Sequence, residues 1–369
     1  MPLRTLIVDD TVTYRKILSD ILKDIVETQV IGTAPSGAIA LKKIPQDDIQ
    51  LVFLDVHMPE MDGVETLKRI KKDFPGTEVV MISGATTRSA DSTIAALEAG
   101  AIDFIRKPDG DDAEANRAHL IGDITAVLRL VNVRRLMTGA KAAARQNAPP
   151  AVTPAPAAAP APAVTVRRLD AAVKTAPPKS FGACVIGVST GGPEALSKLV
   201  PALTGPFPVP FFCVQHMPAM FTKSLAESLT KKSKFPIVEA GDGEEIRPGM
   251  MYLAPGGRHM VVRRREGKVI IGINDEPPVN SCRPSVDVLF RSIAEAYQTA
   301  GVLSIVLTGM GNDGCNGVRA LKRHGCLSIT QSESSCVVYG MPRAVDEAGL
   351  SDLSLDLAAI PGEIERLLK

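Results

Sequence analysis

ACVIGVSTGGPEAL, residues 183–196, is the stretch whose reading decides the fold. Residues 183–188 form an unbroken apolar run, which predicts a buried strand. Pro193 has φ preset for a first helical turn, and Glu194 complements the positive end of a helix, so a helix opens near Pro193. Between the two lie Ser189, Thr190, Gly191 and Gly192. The paired glycines permit positive φ and close backbone approach. Ser189 therefore projects at the carboxyl edge of a sheet, beside free backbone N–H groups. That placement suits a nucleophile next to an oxyanion site. It suits equally an anion held at a helix N-terminus, or a structural turn with a capping serine. Within this stretch all three readings stand.

A serine nucleophile needs a base, and the base needs an orienting acid. Among the five histidines, His57 and His119 belong to the N-terminal third, His324 ends an amphipathic helix and His259 lies at a turn. Only His216 follows a strand (residues 209–215) that shares an edge with Ser189. Asp242, Asp275 and Asp287 fall in hairpin or helix contexts. Asp313 follows the apolar strand 302–307 through TGMGNDG (308–314), again at that edge. Topology thus selects Ser189, His216 and Asp313. Their order, Ser…His…Asp, differs from that of the α/β-hydrolases. The segments between, with turns at PGM (248–250), APGGRH (254–259) and 263–268, predict hairpins inserted into this α/β unit.

The first third repeats the strand–helix theme. Apolar strands are expected at 3–8, 29–33, 51–54, 78–82 and 101–105, separated by helical spacing. Five alternations imply a doubly wound parallel sheet. Groups gather at the carboxyl ends of such strands, and here those ends carry Asp9, Asp10, Asp55, Ser83 and Lys107. Three carboxylates side by side repel unless a cation neutralises them, and all-oxygen ligation suits Mg²⁺. A carboxylate so placed can accept a phosphoryl group as an acyl phosphate, with Ser83 and Lys107 reaching its oxygens.

Composition bounds the rest. The chain has 369 residues, 45% hydrophobic and 22% charged, with a net charge of +1, enough for two or three packed domains and no global signature of nucleic-acid binding. No apolar run approaches a membrane span, and the N-terminus MPLRTLIVDD lacks a signal-peptide pattern, so a cytoplasmic protein is expected. The six cysteines show no CxxC pair and no ligand-like spacing with histidine, which reads as reduced thiols. Residues 148–163 contain eight Ala and six Pro, a segment that favours extended, semi-rigid chain. The expected organisation is an N-terminal unit over 1–137, a disordered Ala/Pro-rich linker over 138–180, and a C-terminal α/β unit over 181–369.

VDD (8–10), LDVHMPEMDG (54–63), SGA (83–85) and DFIRKP (103–108) resemble the response-regulator receiver domain. The resemblance implies Asp55 as phosphoacceptor, with Mg²⁺ on Asp10, Asp55 and the His57 carbonyl, and Asp9 nearby. It also implies Ser83 and Phe104 as switch residues, Lys107 at the phosphoryl group, and a cis Lys107–Pro108 bond. GVSTGGPEAL (187–196), QHMPAMFTKSLAESL (215–229), APGGRH (254–259), RPSVDVLF (283–290) and LTGMGNDG (307–314) resemble the catalytic domain of the chemotaxis-type protein-glutamate methylesterase. This second resemblance implies a Ser-His-Asp hydrolase with Ser189 as nucleophile, His216 as base, Asp313 as orienting acid and oxyanion donors near Thr190 and Met310. Its substrate would be glutamate γ-methyl esters on chemoreceptors, and it would deamidate receptor glutamines, with no cofactor in the hydrolytic step. A chemotaxis histidine kinase would be the phosphodonor, and phosphorylation would raise activity.

Three rival readings have discriminating features. A transcriptional regulator needs a basic, DNA-reading output domain, which residues 181–369 lack. An inactive scaffold is opposed by the intact triad. A small-molecule esterase would prefer a generic ester to a methylated receptor.

Overall fold

The computed structural model describes residues 2–146 except 85, 109 and 111, and residues 178–369 except 179. The Ala/Pro-rich stretch at 148–163 lies outside the described residues.

The N-terminal unit alternates β1 (Leu3–Val8), α1 (Val12–Lys23), β2 (Thr28–Ala34), α2 (Gly37–Gln46), β3 (Leu51–Asp55), α3 (Gly63–Asp73), β4 (Glu78–Ser83), α4 (Thr87–Glu98), β5 (Asp103–Arg106) and α5 (Ala113–Gln146). The strands pair in the order β2-β1-β3-β4-β5, all parallel. β3 and β4 are buried along their whole length, as expected where helices cover both faces of a sheet. Asp62 starts α3 by accepting the Glu65 N–H at 2.8 Å, and Thr86 starts α4 by accepting the Ser89 N–H at 3.2 Å; such caps satisfy donors that a helix start leaves open. α5 continues to Gln146, past the boundary expected at 137.

The C-terminal unit runs β6 (Phe181–Val188), α6 (Gly192–Ala202), β7 (Phe211–Gln215), α7 (Phe221–Lys232), β8 (Ile237–Glu239), β9 (Met251–Leu253), β10 (His259–Arg265), β11 (Lys268–Asn274), α8 (Val286–Ala296), β12 (Gly301–Val306), α9 (Cys315–Lys322), β13 (Cys326–Gln331), α10 (Met341–Glu347), β14 (Leu353–Leu355) and α11 (Ile360–Leu368). Seven strands form one parallel sheet in the order β14-β13-β12-β6-β7-β9-β8. From β6 the chain first builds outward through β7, then returns to add β12 on the other side. The reversal creates a crevice at the carboxyl ends of β6, β7 and β12, where doubly wound sheets place their ligands.

Two sequence expectations are corrected here. Of the anticipated hairpins only one exists among the described residues, β10–β11. Its turn residues Glu266 and Gly267 both have positive φ (52° and 80°), the geometry that matches hairpin twist. β8 and β9 instead join the main sheet in parallel. Three-residue strands carry too little pattern to reveal their pairing, which the neighbouring β7 decides. The second correction concerns Lys107–Pro108. The cis peptide bonds of the described residues are Gly205–Pro206 and Arg283–Pro284, and the bond expected to be cis is not one of them.

The two units touch. α4 lies against α6 and α7. The rings of Phe104 and Phe221 pack with centroids 4.4 Å apart. Glu98 at the end of α4 accepts from Ser228 Oγ at 2.9 Å and pairs with Lys232, both on α7. Leu97 and Phe221 belong to one buried apolar cluster that draws residues from both units.

Candidate active site

Ser189 follows β6 directly. Its N–H donates to the Thr308 carbonyl at 3.0 Å, and its own carbonyl accepts from Gly192 N–H at 2.8 Å and Gln215 Nε2 at 2.9 Å. The turn is closed by Gly191 at φ 75°, a conformation that favours glycine. Gly309 is fixed by space instead: a Cβ there would sit 2.7 Å from the Ser189 Cβ. The motifs STGG and LTGMGNDG thus meet across β6 and β12. Thr308 Oγ1 ties them by donating to the Thr190 carbonyl at 2.9 Å. The backbone N–H groups of Thr190 and Met310 take no acceptor among the described residues.

His216 follows β7, its N–H donating to the Val188 carbonyl at 3.1 Å. Its Nε2 lies 2.8 Å from Asp313 Oδ2. A carboxylate can only accept, so Nε2 carries a hydrogen and Nδ1 is the nitrogen that Asp313 does not engage. Asp313 is 2% exposed and receives four further donors: Val286 N–H at 2.6 Å, Asn280 Nδ2 at 2.7 Å, Ser285 Oγ at 2.9 Å and Asp287 N–H at 3.1 Å. Val286 opens α8, so the positive end of that helix faces the carboxylate. Burial pushes the Asp313 carboxyl up, but His216, Asn280 and the Val286 N–H outweigh it and hold the group below its ordinary value. Burial likewise disfavours the His216 cation, yet the bond to Asp313 and the neighbouring Cys282 raise His216 to about 9.

These groups open into a cavity of about 100 Å³ lined by Ser189, Thr190, Gly191, Gln215 and His216. Its opposite wall comes from the N-terminal unit: Leu97, Ile102, Asp103 and Phe104. Desolvation lifts the Asp103 carboxyl to about 6. A larger cleft of about 590 Å³ between α7 and β8 holds none of the reactive groups.

At the carboxyl edge of the other sheet, Asp9 and Asp55 are buried and Asp10 is exposed. Their carboxylate oxygens lie within 4.8 Å of one another. Lys107 Nζ bridges two of them, 2.8 Å from Asp9 and 2.9 Å from Asp55. Burial raises the Asp55 carboxyl despite Lys107. Burial opposes the Lys107 charge, but bonds to Asp9 and Asp55 overcome it and raise that group. One ammonium offsets one of three negative charges, so the oxygen donor set fits a hard divalent cation such as Mg²⁺. Ser83 is buried, its Oγ accepting from Thr93 Oγ1 of α4 at 2.7 Å, while its carbonyl accepts the Lys107 N–H at 2.7 Å. The His57 ring turns away to Ser89 Oγ at 3.0 Å.

Several site residues escaped the sequence reading. Asn280, Cys282 and Ser285 all come from the loop before α8, and Cys282 Sγ lies 3.5 Å from His216 Nδ1. Spacing along the chain gave no sign of this contact, whose residues are 66 positions apart. His259, set aside as a turn residue, is fully buried and supports that loop, accepting from the Ser285 N–H at 3.2 Å and bonding the Pro277 carbonyl at 3.1 Å. Asp287 clamps the start of α9 through Gly314 and Gly317 N–H at 3.0 and 2.6 Å. Of these, Ser285 and Asp287 lie in RPSVDVLF and His259 in APGGRH, motifs that marked the region, while Asn280 and Cys282 lie in neither.

Comparison with known proteins finds relatives for both units. Residues 184–364 match the family model described as CheB methylesterase, and residues 5–117 match the response regulator receiver domain. The protein-glutamate methylesterase/protein-glutamine glutaminase of Desulfotalea psychrophila is 42% identical, covering 100% of this chain and 99% of that protein. The protein of the same description from Trichodesmium erythraeum is 40% identical, covering 98% of each. Among solved structures, the Thermotoga maritima CheB methylesterase catalytic domain is 41% identical, with a TM-score of 0.49, covering 51% of this chain and 99% of that one.

Proposed function

The chain belongs to the CheB methylesterase family, with a receiver domain ahead of the catalytic domain, and from that premise we propose that it is a phosphorylation-activated serine hydrolase acting on chemoreceptors. It demethylates glutamate γ-methyl esters and deamidates particular glutamines to glutamate, in feedback adaptation of chemosensory signalling. The observation that carries this reading is the His216–Asp313 pair at 2.8 Å, with His216 and Ser189 lining one cavity.

In this reading each residue has a role. Ser189 Oγ attacks the γ-carbonyl carbon while His216 Nδ1 takes its proton. Asp313 holds the ring in the required tautomer and stabilises the imidazolium that forms. The oxyanion is received by the N–H groups of Thr190 and Met310. His216 then protonates the leaving methoxide, or the leaving amine of a glutamine, and the tetrahedral centre collapses to an acyl-Ser189 ester. Water, deprotonated by His216, attacks that ester, and glutamate and Ser189 are released. The hydrolytic step needs no cofactor.

In the receiver, Asp55 is the phosphoacceptor. Asp9, Asp10, Asp55 and the His57 carbonyl would hold Mg²⁺, which supplies charge neutralisation for phosphoryl transfer. Lys107 and Ser83 reach the phosphoryl oxygens. Both lead to the contact with the catalytic domain. Lys107 lies directly beyond β5, which carries Phe104, and Ser83 bonds α4, which carries Glu98. Unphosphorylated, this face covers the cavity mouth; phosphorylation shifts the population away from the docked arrangement. The phosphodonor is a chemotaxis histidine kinase, and the chain works in the cytoplasm. No helix among the described residues is long and apolar enough to cross a membrane, so the substrate helices are reached from the aqueous side. The domain limits are read as 1–137, 138–180 and 181–369.

The test is methanol release from methylated receptor, for the native chain and for Ser189→Ala, with and without an acyl-phosphate donor. Release that needs Ser189 and rises with the donor supports the reading. Release indifferent to the donor would discard the gating, and faster turnover of a small generic ester would discard the receptor substrate.

A further inference from the structure

His216, Cys282 and Asp313 bring a nitrogen, a sulfur and an oxygen within 4.8 Å of one another. The hydrolytic reading uses the first and third and leaves the thiol without a task. Cys282 Sγ faces the nitrogen of His216 that Asp313 does not engage, at 3.5 Å. Tetrahedral zinc with Zn–S of about 2.3 Å and Zn–N of about 2.05 Å separates its sulfur and nitrogen ligands by about 3.6 Å. The pair is therefore already spaced as one edge of a zinc tetrahedron. Its surroundings have the matching form. Metal-bound histidines commonly donate their other ring N–H to a carboxylate, which fixes ring and tautomer. Asp313 does this at Nε2, and four further donors keep that carboxylate in place.

We infer that His216 Nδ1 and Cys282 Sγ form a binding site for a thiophilic divalent cation of the Zn²⁺ class, and that its occupancy reversibly inhibits the hydrolase. On binding, the thiol proton and the Nδ1 proton of the His216 cation are released to solvent, and S–Zn and N–Zn bonds replace them; no electron is transferred. Two waters or other oxygens complete the tetrahedron. The ion takes the lone pair with which His216 would accept the Ser189 proton, so a loaded site cannot start acyl transfer. Mg²⁺ does not compete, because a hard cation disfavours thiolate and imidazole. The two metal classes thus act at separate places: an oxygen-ligated ion in the receiver, a sulfur- and nitrogen-ligated ion in the catalytic crevice. The inhibitory half of the inference rests on the proposed hydrolase; the binding half does not.

The experiment uses the reduced full-length chain with Mg²⁺ in excess. Co²⁺ alone serves as the spectroscopic probe, and Zn²⁺ alone is titrated against a chromophoric chelator. Native protein and Cys336→Ser are expected to give a thiolate-to-cobalt charge-transfer band and to bind Zn²⁺ tightly. Cys282→Ser is expected to lose the band and weaken Zn²⁺ binding more than about tenfold, since a hydroxyl replaces a soft ligand. Methanol release is then followed against free Zn²⁺, each variant scaled to its own rate in chelator. Half-inhibition should move upward by the same factor in Cys282→Ser. A charge-transfer band that survives Cys282→Ser, or unchanged zinc affinity, overturns the site. Binding that needs Cys282 but leaves methanol release untouched overturns the inhibition and counts against His216 as the base.

Discussion

Replacing Phe104 by alanine tests the docked arrangement most directly. Its ring meets Phe221 at a centroid separation of 4.4 Å across the contact between receiver and catalytic domain. Two losses add. An aromatic pair contributes about 0.5–1.5 kcal/mol beyond area burial. Phe104 is half-buried, so it loses only a part of the roughly 1.5–3 kcal/mol that full burial of such a side chain provides. Together the substitution weakens docking by about 1.5–3 kcal/mol, or about 10- to 150-fold in the equilibrium between covered and open forms. If the covered form dominates before phosphorylation, the basal rate rises with the open fraction until that fraction approaches one.

The assay is methanol release from methylated receptor by unphosphorylated protein, repeated with an acyl-phosphate donor. Phe104→Ala should raise the basal rate about tenfold or more, and the stimulation ratio should shrink by the same factor. Glu98→Gln supplies an independent arm on a different element. It removes the charge that faces Lys232, whose side chain is 38% exposed. Screening limits that pair to about 0.5–1 kcal/mol, so a two- to fivefold rise is expected. A basal rate that stays level or falls in both variants, with the fold intact by circular dichroism, refutes the covering role of this face.

Three further outcomes follow from the two sites. Asp313→Asn presents an amide that can donate to Nε2, which moves the ring hydrogen to Nδ1 and lowers kcat by about 10⁴-fold, read in the same methanol assay. The pH profile should ascend late: His216 works as a base only when neutral, and its pKa raised to about 9 keeps it a cation at neutral pH. In chelator-treated buffer kcat/KM should therefore climb about tenfold per unit up to that region; a plateau already reached at pH 7 would contradict it. Asp55→Asn should bring the ratio of rates with and without acyl phosphate to about one, and phosphate incorporation into the chain should vanish.

How much of this was legible in the sequence depended on where each residue sits. Both sheets were readable because their strands are long apolar runs, and each run ends in a chemical group: Asp9, Asp55 and Ser83 in one sheet, Ser189 and His216 in the other. A parallel sheet collects its strand ends at one edge, so knowing the strands was enough to place Ser189, His216 and Asp313 at the same edge. β8, β9 and β14 defeated the same reasoning. Each has three residues, less than a full alternation, and its partner is set by the strand it happens to reach.

The loop before α8 shows the other limit. Asn280, Cys282 and Ser285 carry no periodicity, and Asn280 and Ser281 have positive φ (53° and 61°), an irregular path that no propensity foretells. What fixes it is tertiary: buried His259 bonds its two ends through the Pro277 carbonyl and the Ser285 N–H. The same histidine therefore decides two things at once. It sets the donors on Asp313, on which the tautomer of His216 depends, and it sets Cys282 against Nδ1. Substituting His259 by alanine leaves the Ser285 N–H without its acceptor inside a buried pocket, at a cost of about 1–3 kcal/mol, and should loosen both contacts together. Turnover and Co²⁺ charge-transfer intensity should then fall in parallel, whereas a loop held by its backbone alone would keep both.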